Sequence, residues 1–369
     1  MSIQDRVTNG VRGLQPYQPG KPVEELEREL GISGIIKLAS NENPKGASPL
    51  VAGALKTALS DLARYPDGSG FSLKSKLARF LGIRPNQITL GNGSNDVLEI
   101  ITRCFAGPGQ GVVISEHAFA VYYLAAKSVD AHIAIAPARQ YGHDLKAMRE
   151  AIGSDTKLVF IANPNNPTGT HLTSAQLLAF LEDIPKDTLV VLDEAYVEYA
   201  ADLDHEDGLT FLDRFPNLIV TRTFSKAYGI AALRVGYAVA SEDVTDILNR
   251  VRQPFNVNAL ALVAAEAALE DQHFVAQSVL ENKNGLERLI VACTEMGIES
   301  IPSAANFICV RVGPHAQKVY DAMLRMGVIV RPVANYGLPE HLRITIGTPQ
   351  ENERLIETLR SALLECRAN

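Results

Sequence analysis

Between about residue 36 and residue 250, short and almost unbroken apolar runs alternate with amphipathic stretches, and this alternation leaves the chain few architectures. The runs fall at residues 88–90, 112–115, 158–162, 189–192, 218–221 and 235–240. A strand that is apolar at every position is buried on both faces, which is the condition of a mainly parallel sheet covered by helices. The stretches between the runs repeat apolar residues at helical spacing. Thr173, three residues ahead of Gln176, predicts a capped start for a helix over 173–184. The expected fold class is therefore α/β, a mainly parallel sheet sandwiched by helices.

After Arg252 the texture changes. An Ala/Leu/Val/Glu-rich helical stretch covers 258–285, followed by strands at 307–312, 329–331 and 342–346 and a last helix from Glu351. Separate runs of helix and strand predict a smaller α+β domain. The first 35 residues are rich in Pro and Gly ahead of a short charged helix over 23–30, and read as an arm packed on that small domain. The expected division is an arm at 1–35, a large α/β domain at 36–250 and a small domain at 251–369, consistent with two or three domains for 369 residues.

Charge excludes one class of partner. With 35 basic against 42 acidic side chains and no Lys/Arg cluster, the chain lacks the basic stripe that displaces counterions from a nucleic-acid backbone. No run reaches 18 uninterrupted apolar residues, Glu266 breaking the richest, so no membrane span is expected. Asp5, Arg6 and Arg12 occupy the region where a secretory signal needs an apolar core, and the cytoplasm is the expected location. Cys104, Cys293, Cys309 and Cys366 fit neither a zinc-ligand spacing nor a disulfide framework, and no His pair has metal-ligand spacing. No metal is expected.

In open α/β sheets ligands bind beyond the carboxyl ends of the strands. Three ends are followed by polar segments: NPNNPTG (163–169), Asp193-Glu194-Ala195-Tyr196, and residues 222–229 around Lys226. Each has a plain alternative. NPNNPTG suits a turn, Asp193 and Glu194 suit capping or solvation, and a lone lysine is commonly a surface charge. Lys226, however, lies among Ser, Thr and Gly directly after an apolar strand with Arg234 eight residues on, a setting closer to that of a nucleophile. A fourth segment, Gly91 to Asn95, opens a helix and offers amides to an anion. The helix dipole contributes only about 0.3–1 kcal/mol. Charge-assisted hydrogen bonds contribute about 1.5–3 kcal/mol each. A phosphate there therefore requires a cation, and Arg234 with the hydroxyls of Thr223 and Ser225 is the available set.

NPNNPTG, DEAY and SKAYGIAALRVG, in this order and spacing, resemble the fold-type-I pyridoxal-phosphate aminotransferases, a likeness running from about Gly34 to the end of the chain. GLQPYQPGKPVEEL, LASNENP and RYPDGSG narrow it to the histidinol-phosphate aminotransferase branch. The resemblance implies pyridoxal 5'-phosphate as coenzyme, anchored by Lys226, which then serves as the catalytic base. Asp193 is implied to pair with the pyridine nitrogen, keeping it protonated so that the ring accepts electrons. Tyr196 and Asn166 are implied at the phenolic oxygen and Phe119 against the ring face. Many relatives carry tyrosine at the Phe119 position, and His117 stands where a small residue or proline is common. The phosphate is implied to rest on Ser94, Asn95, Thr223, Ser225 and Arg234, with Tyr65 contributed by a neighbouring subunit, hence a homodimer.

The same resemblance implies L-histidinol phosphate and glutamate/2-oxoglutarate as substrates, used in turn with ping-pong kinetics. One bidentate guanidinium, Arg343, answers both the phosphate and the carboxylate. Arg331 is the implied second arginine, and Tyr17 and Asn41 close over the imidazole end. An aromatic amino-acid aminotransferase and a phosphate-recognising decarboxylase share this scaffold. A transcription regulator built on it needs a DNA-binding module, for which the 35 residues ahead of the first domain are too few.

Overall fold

Seven strands form the central sheet, in the order Ile88–Gly91, Gly236–Val239, Leu218–Thr223, Leu189–Asp193, Thr156–Ala162, Gly111–Ser115 and His132–Ala136. All pairings are parallel except the two made by Gly236–Val239. The computed structural model describes residues 3–16, 20–204 and 207–368.

Alternation along the buried strands explains why they read as unbroken apolar runs. Val159, Ile161, Val190, Leu192 and Val220 face a core closed by the helices Phe71–Leu81, Ser174–Asp183 and Ala259–Glu270. Their neighbours Leu158, Phe160, Val191 and Ile219 face a second core, closed by Ser94–Phe105, Ala120–Ser128 and Glu242–Val251. Register then aligns the strand ends. Ala162 pairs with Asp193 and Asp193 with Thr221, so the polar segments after three adjacent strands emerge level at one edge.

The smaller sheet is antiparallel, in the order Glu299–Ile301, Phe307–Arg311, His341–Thr345 and Arg331–Pro332. Its core includes Leu289, Ile308, Val319, Leu342, Ile344 and Leu359. The helices Ala316–Arg325 and Pro349–Ala368 pack on each other beside it.

Four boundaries differ from the sequence expectation. The helix expected over 258–285 is two helices, Ala259–Glu270 and Gln272–Glu295. Asp271 separates them, its carboxylate accepting the Phe274 amide and the Ser48 hydroxyl. The first is apolar on nearly every side because it lies inside the large core, with Ala261, Ala264, Ala265 and Ala268 all buried. The chain thus leaves that core along Gln272–Glu295, between Val275 and Leu289, and not at residue 251. At the other end, Ile36–Lys37 pairs in parallel with Val328–Ile329, and Leu38 joins the small core, so these residues belong with the smaller body. The strand expected at 329–331 is split. Val328–Ile329 pairs with the N-terminal strand, and Arg331–Pro332 pairs with His341–Thr345.

The N-terminal arm touches both bodies. Helix Asn9–Arg12 lies on Ala120–Ser128 so closely that a Cβ on Gly10 would come within 2.4 Å of the Lys127 carbonyl. Helix Val23–Leu30 buries Leu26 against Ala39 and Ile329. No helix among the described residues is long and apolar enough to cross a membrane.

Candidate active site

A cavity of about 200 Å³ opens where the three strand ends meet the smaller sheet. At one corner the helix Ser94–Phe105 presents its N-terminus. Gly93 leads in with φ +86°, and a Cβ there would sit 2.3 Å from Nη2 of Arg234. Glycine is thus required both by its left-handed backbone and by the approach of the guanidinium. Gly236, on the antiparallel strand, is required by close approach alone, since a Cβ would come within 2.5 Å of the Ser94 amide. Arg234 donates from Nη1 to Ser225 Oγ (3.1 Å) and to the Ala231 carbonyl (3.0 Å). The Thr223 hydroxyl accepts the Ser225 amide at 3.1 Å. Helix terminus, hydroxyls and guanidinium together form an anion cradle.

Across the cavity floor, Asp193 ends its strand almost fully buried. Oδ2 accepts the Tyr122 hydroxyl at 2.7 Å, while Oδ1 is buried and makes no hydrogen bond among the described residues. Burial raises the Asp193 pKa, and Tyr122, the Thr221 hydroxyl and the Ala195 amide act against the rise. A buried carboxylate oxygen without a donor is costly, and a ligand N–H is the group that would satisfy it.

Lys226 lies between the acid and the cradle, Nζ donating to the Ser40 carbonyl at 3.1 Å. Burial brings its pKa down to about 7, and the guanidiniums of Arg343 and Arg234 add to the fall against Glu42 and Asp193. Tyr196 accepts Asn41 Nδ2 at 2.9 Å on its hydroxyl, which burial pushes up to about 12. Asn41 is held in turn, its amide donating to Thr345 Oγ1 (2.9 Å) and its carbonyl accepting Asn306 Nδ2 (3.0 Å).

The smaller sheet brings two arginines side by side, Arg331 and Arg343 being register partners on neighbouring strands. Arg343 is 7% exposed. Among the described residues its hydrogen bonds go to the neutral oxygens of Ala39 (Nη2, 2.7 Å) and Asn166 (Nη1, 2.5 Å), and Nε has no partner. A buried guanidinium bonded to neutral oxygens alone is an incomplete arrangement that a bound anion would complete.

The structure gathers Lys226, Ser94, Asn95, Phe119, Asn166, Asp193, Tyr196, Thr223, Ser225, Arg234, Asn41, Arg331 and Arg343 around this one cavity. Tyr65 is not brought there by its own chain. Its ring is 82% exposed and stacks on Phe255 at 4.7 Å. Tyr17 lies outside the described residues. Sequence reasoning missed Tyr122 and Tyr336, which also line the cavity. Tyr122 sits in an amphipathic helix where an aromatic side chain reads as core. Its signal was the need of a buried phenol for a hydrogen-bond acceptor.

Residues 33–359 match the family described as aminotransferase class I and II. The chain is 57% identical over 356 residues to histidinol-phosphate aminotransferase 2 of Pseudomonas fluorescens, covering 96% of each protein. It is 55% identical to histidinol-phosphate aminotransferase 2 of Pseudomonas aeruginosa, again over 96% of each. Among solved structures it is similar to the histidinol-phosphate aminotransferase of Sinorhizobium meliloti in complex with pyridoxal-5'-phosphate. There the TM-score is 0.91 and the identity 30%, over 98% of both chains.

Proposed function

The chain belongs to the class I and II aminotransferases, and on that premise we propose that it moves the amino group of L-histidinol phosphate to 2-oxoglutarate. The products are imidazole-acetol phosphate and L-glutamate, a step of histidine biosynthesis, and pyridoxal 5'-phosphate is the coenzyme. One observation carries the reading. A single cavity holds an amine of near-neutral pKa, a buried acid with an unsatisfied oxygen, and two separate cationic anion sites.

The residues suit the coenzyme on their own chemistry. The cradle of Ser94, Asn95, Thr223, Ser225 and Arg234 would hold its phosphate, and Asp193 Oδ1 would accept a ring N–H. When bound, the coenzyme supplies an aldehyde for amine exchange and a protonated ring that withdraws electrons from the substrate carbon. Lys226, once free, is the base at the substrate Cα. An amine near pH 7 takes up and returns a proton with little driving force lost either way, which is what general acid–base catalysis asks of it. Tyr196, held by Asn41, and Asn166, held by Arg343, fix hydrogen-bonding groups at the cavity wall. Phe119 lends an aromatic face.

Arg343 and Arg331 would bind the substrate anion. L-Glutamate brings carboxylates and histidinol phosphate a phosphate, and a planar fork of donors satisfies either bidentately. Tyr17 and Asn41 are proposed at the imidazole end. The proposed molecule is a cytoplasmic homodimer with Tyr65 completing the neighbouring subunit's phosphate site. Its large exposure on an isolated chain supports that reading.

Mixing the loaded protein with single amino donors tests the assignment. Histidinol phosphate is expected to convert the coenzyme to its pyridoxamine absorbance faster than phenylalanine or threonine phosphate does. A wide margin for phenylalanine in catalytic efficiency would move the protein to aromatic amino acids.

A further inference from the structure

Tyr122 stands at the junction of two groups that the proposed function uses. It is fully buried on the first turn of Ala120–Ser128, three residues after Phe119, whose carbonyl accepts its amide at 3.1 Å. Its ring lies flat on Phe160 of the central sheet (4.8 Å, 7°) and meets the edge of Phe119 (5.8 Å, 86°). Its hydroxyl crosses to the neighbouring strand and donates to Asp193 Oδ2 at 2.7 Å. We infer that Tyr122 is a positioning residue for the transamination, its hydroxyl fixing the Asp193 carboxylate so that Oδ1 faces the cavity.

This role rests on the pairing of Asp193 with the coenzyme ring proposed above. A carboxylate rotates about its last bond, and holding one oxygen fixes the direction of the other. Stacking on Phe160 leaves the Tyr122 ring no freedom of its own, so the donor is preorganised. The chemistry of the donor also matters. A lysine or arginine at this place would neutralise Asp193 and leave little negative charge for a protonated ring nitrogen. A phenol satisfies one oxygen and leaves the charge in place. The cations of the cavity bond elsewhere, Lys226 to the Ser40 carbonyl and Arg234 to Ser225 and Ala231, and the other groups that favour the carboxylate, the Thr221 hydroxyl and the Ala195 amide, are neutral like the phenol.

The experiment compares Tyr122→Phe, Asp193→Asn and the double variant. It measures the dissociation constant of pyridoxal 5'-phosphate by absorbance, kcat and KM for histidinol phosphate, and melting of the coenzyme-free chain. Phe keeps both ring contacts and removes only the hydroxyl. Tyr122→Phe is expected to weaken coenzyme binding and lower kcat by about tenfold each, the loss of one hydrogen bond to a charged acceptor. The KM for histidinol phosphate should stay within about twofold, because the substrate anion is bound elsewhere. On the Asp193→Asn background the same change should move coenzyme affinity less than about twofold, since Tyr122 acts through the acid. Affinity and kcat within twofold of wild type in Tyr122→Phe, or an undiminished loss on the Asn background, overturns the inference. A sharp fall in melting of the coenzyme-free single variant that the double variant does not recover overturns it as well. Should Asp193→Asn alone change nothing, the reading of Asp193 falls first and this inference with it.

Discussion

Lys226 sits where burial and the guanidiniums of Arg343 and Arg234 all oppose a charge on its amine. Unfolded, the amine returns to its ordinary 10.5, whereas in the fold it titrates near 7. Between those values the unfolded chain holds a proton that the folded chain has released. The stability of the coenzyme-free protein therefore gains from this residue as pH rises through the window, and the gain is gone at pH 7 and below. In Lys226→Met that contribution is absent. Melting of the two coenzyme-free proteins from pH 6 to 10 should show the Met variant ahead at low pH and the wild type closing on it as pH rises. Parallel curves would mean that the amine is not desolvated. Lys226 was legible in the sequence because a lysine among Ser, Thr and Gly after an apolar strand is chemically odd. Tyr122 was not, because a buried aromatic in a helix is ordinary until its acceptor is seen. Asn41 became meaningful only as a resemblance, since nothing local shows that residue 41 reaches Thr345.

The helix Ser94–Phe105 contributes through its first turn, and the geometry that exposes this turn depends on Gly93. In Gly93→Ala the new methyl meets Arg234 Nη2, and φ +86° is a strained conformation for alanine. The guanidinium is the flexible partner and would move out of the cradle. Affinity for pyridoxal 5'-phosphate should fall by about tenfold or more, one charge-assisted bond's worth, while pyridoxal without the phosphate is affected little. Equal losses for the two would show that the anion cradle is not at this helix. Element identity was readable where burial is two-sided, as in the strands expected at 158–162 and 189–192, because strand length and flanking turns arbitrate. It was least readable at 258–285, where a helix apolar on nearly every side carries no clear amphipathic stripe to mark its end. The break at Asp271 rests on a capping carboxylate whose second partner, Ser48, is 223 residues away.

At the scale of the whole molecule, one residue proposed for the phosphate site, Tyr65, lies away from its own chain's cavity. Tyr65 is 82% exposed, with Phe71 at 73% and Leu62 at 60% on neighbouring segments, and Phe255 stacked beneath it. Exposed large apolar side chains of this kind are what a contact surface would bury. In a two-fold dimer each copy offers the same patch to the other, so a residue useless in its own cavity can serve its partner's. The prediction is one of complementation. Lys226→Ala removes the proposed base, and Tyr65→Ala is expected to lower kcat/KM by about tenfold or more through loss of the proposed phosphate hydrogen bond. Co-expressed with different tags and purified through both, the two variants give a hybrid dimer. If Tyr65 serves across the interface, the subunit that keeps Lys226 receives an intact Tyr65 from its partner, and the hybrid has about half the wild-type activity per dimer. If Tyr65 serves its own chain, that same subunit carries the tyrosine defect and the hybrid is no better than half of the Tyr65→Ala parent. A tenfold gap between these outcomes separates a site closed by two chains from one closed by a single chain folding back on itself.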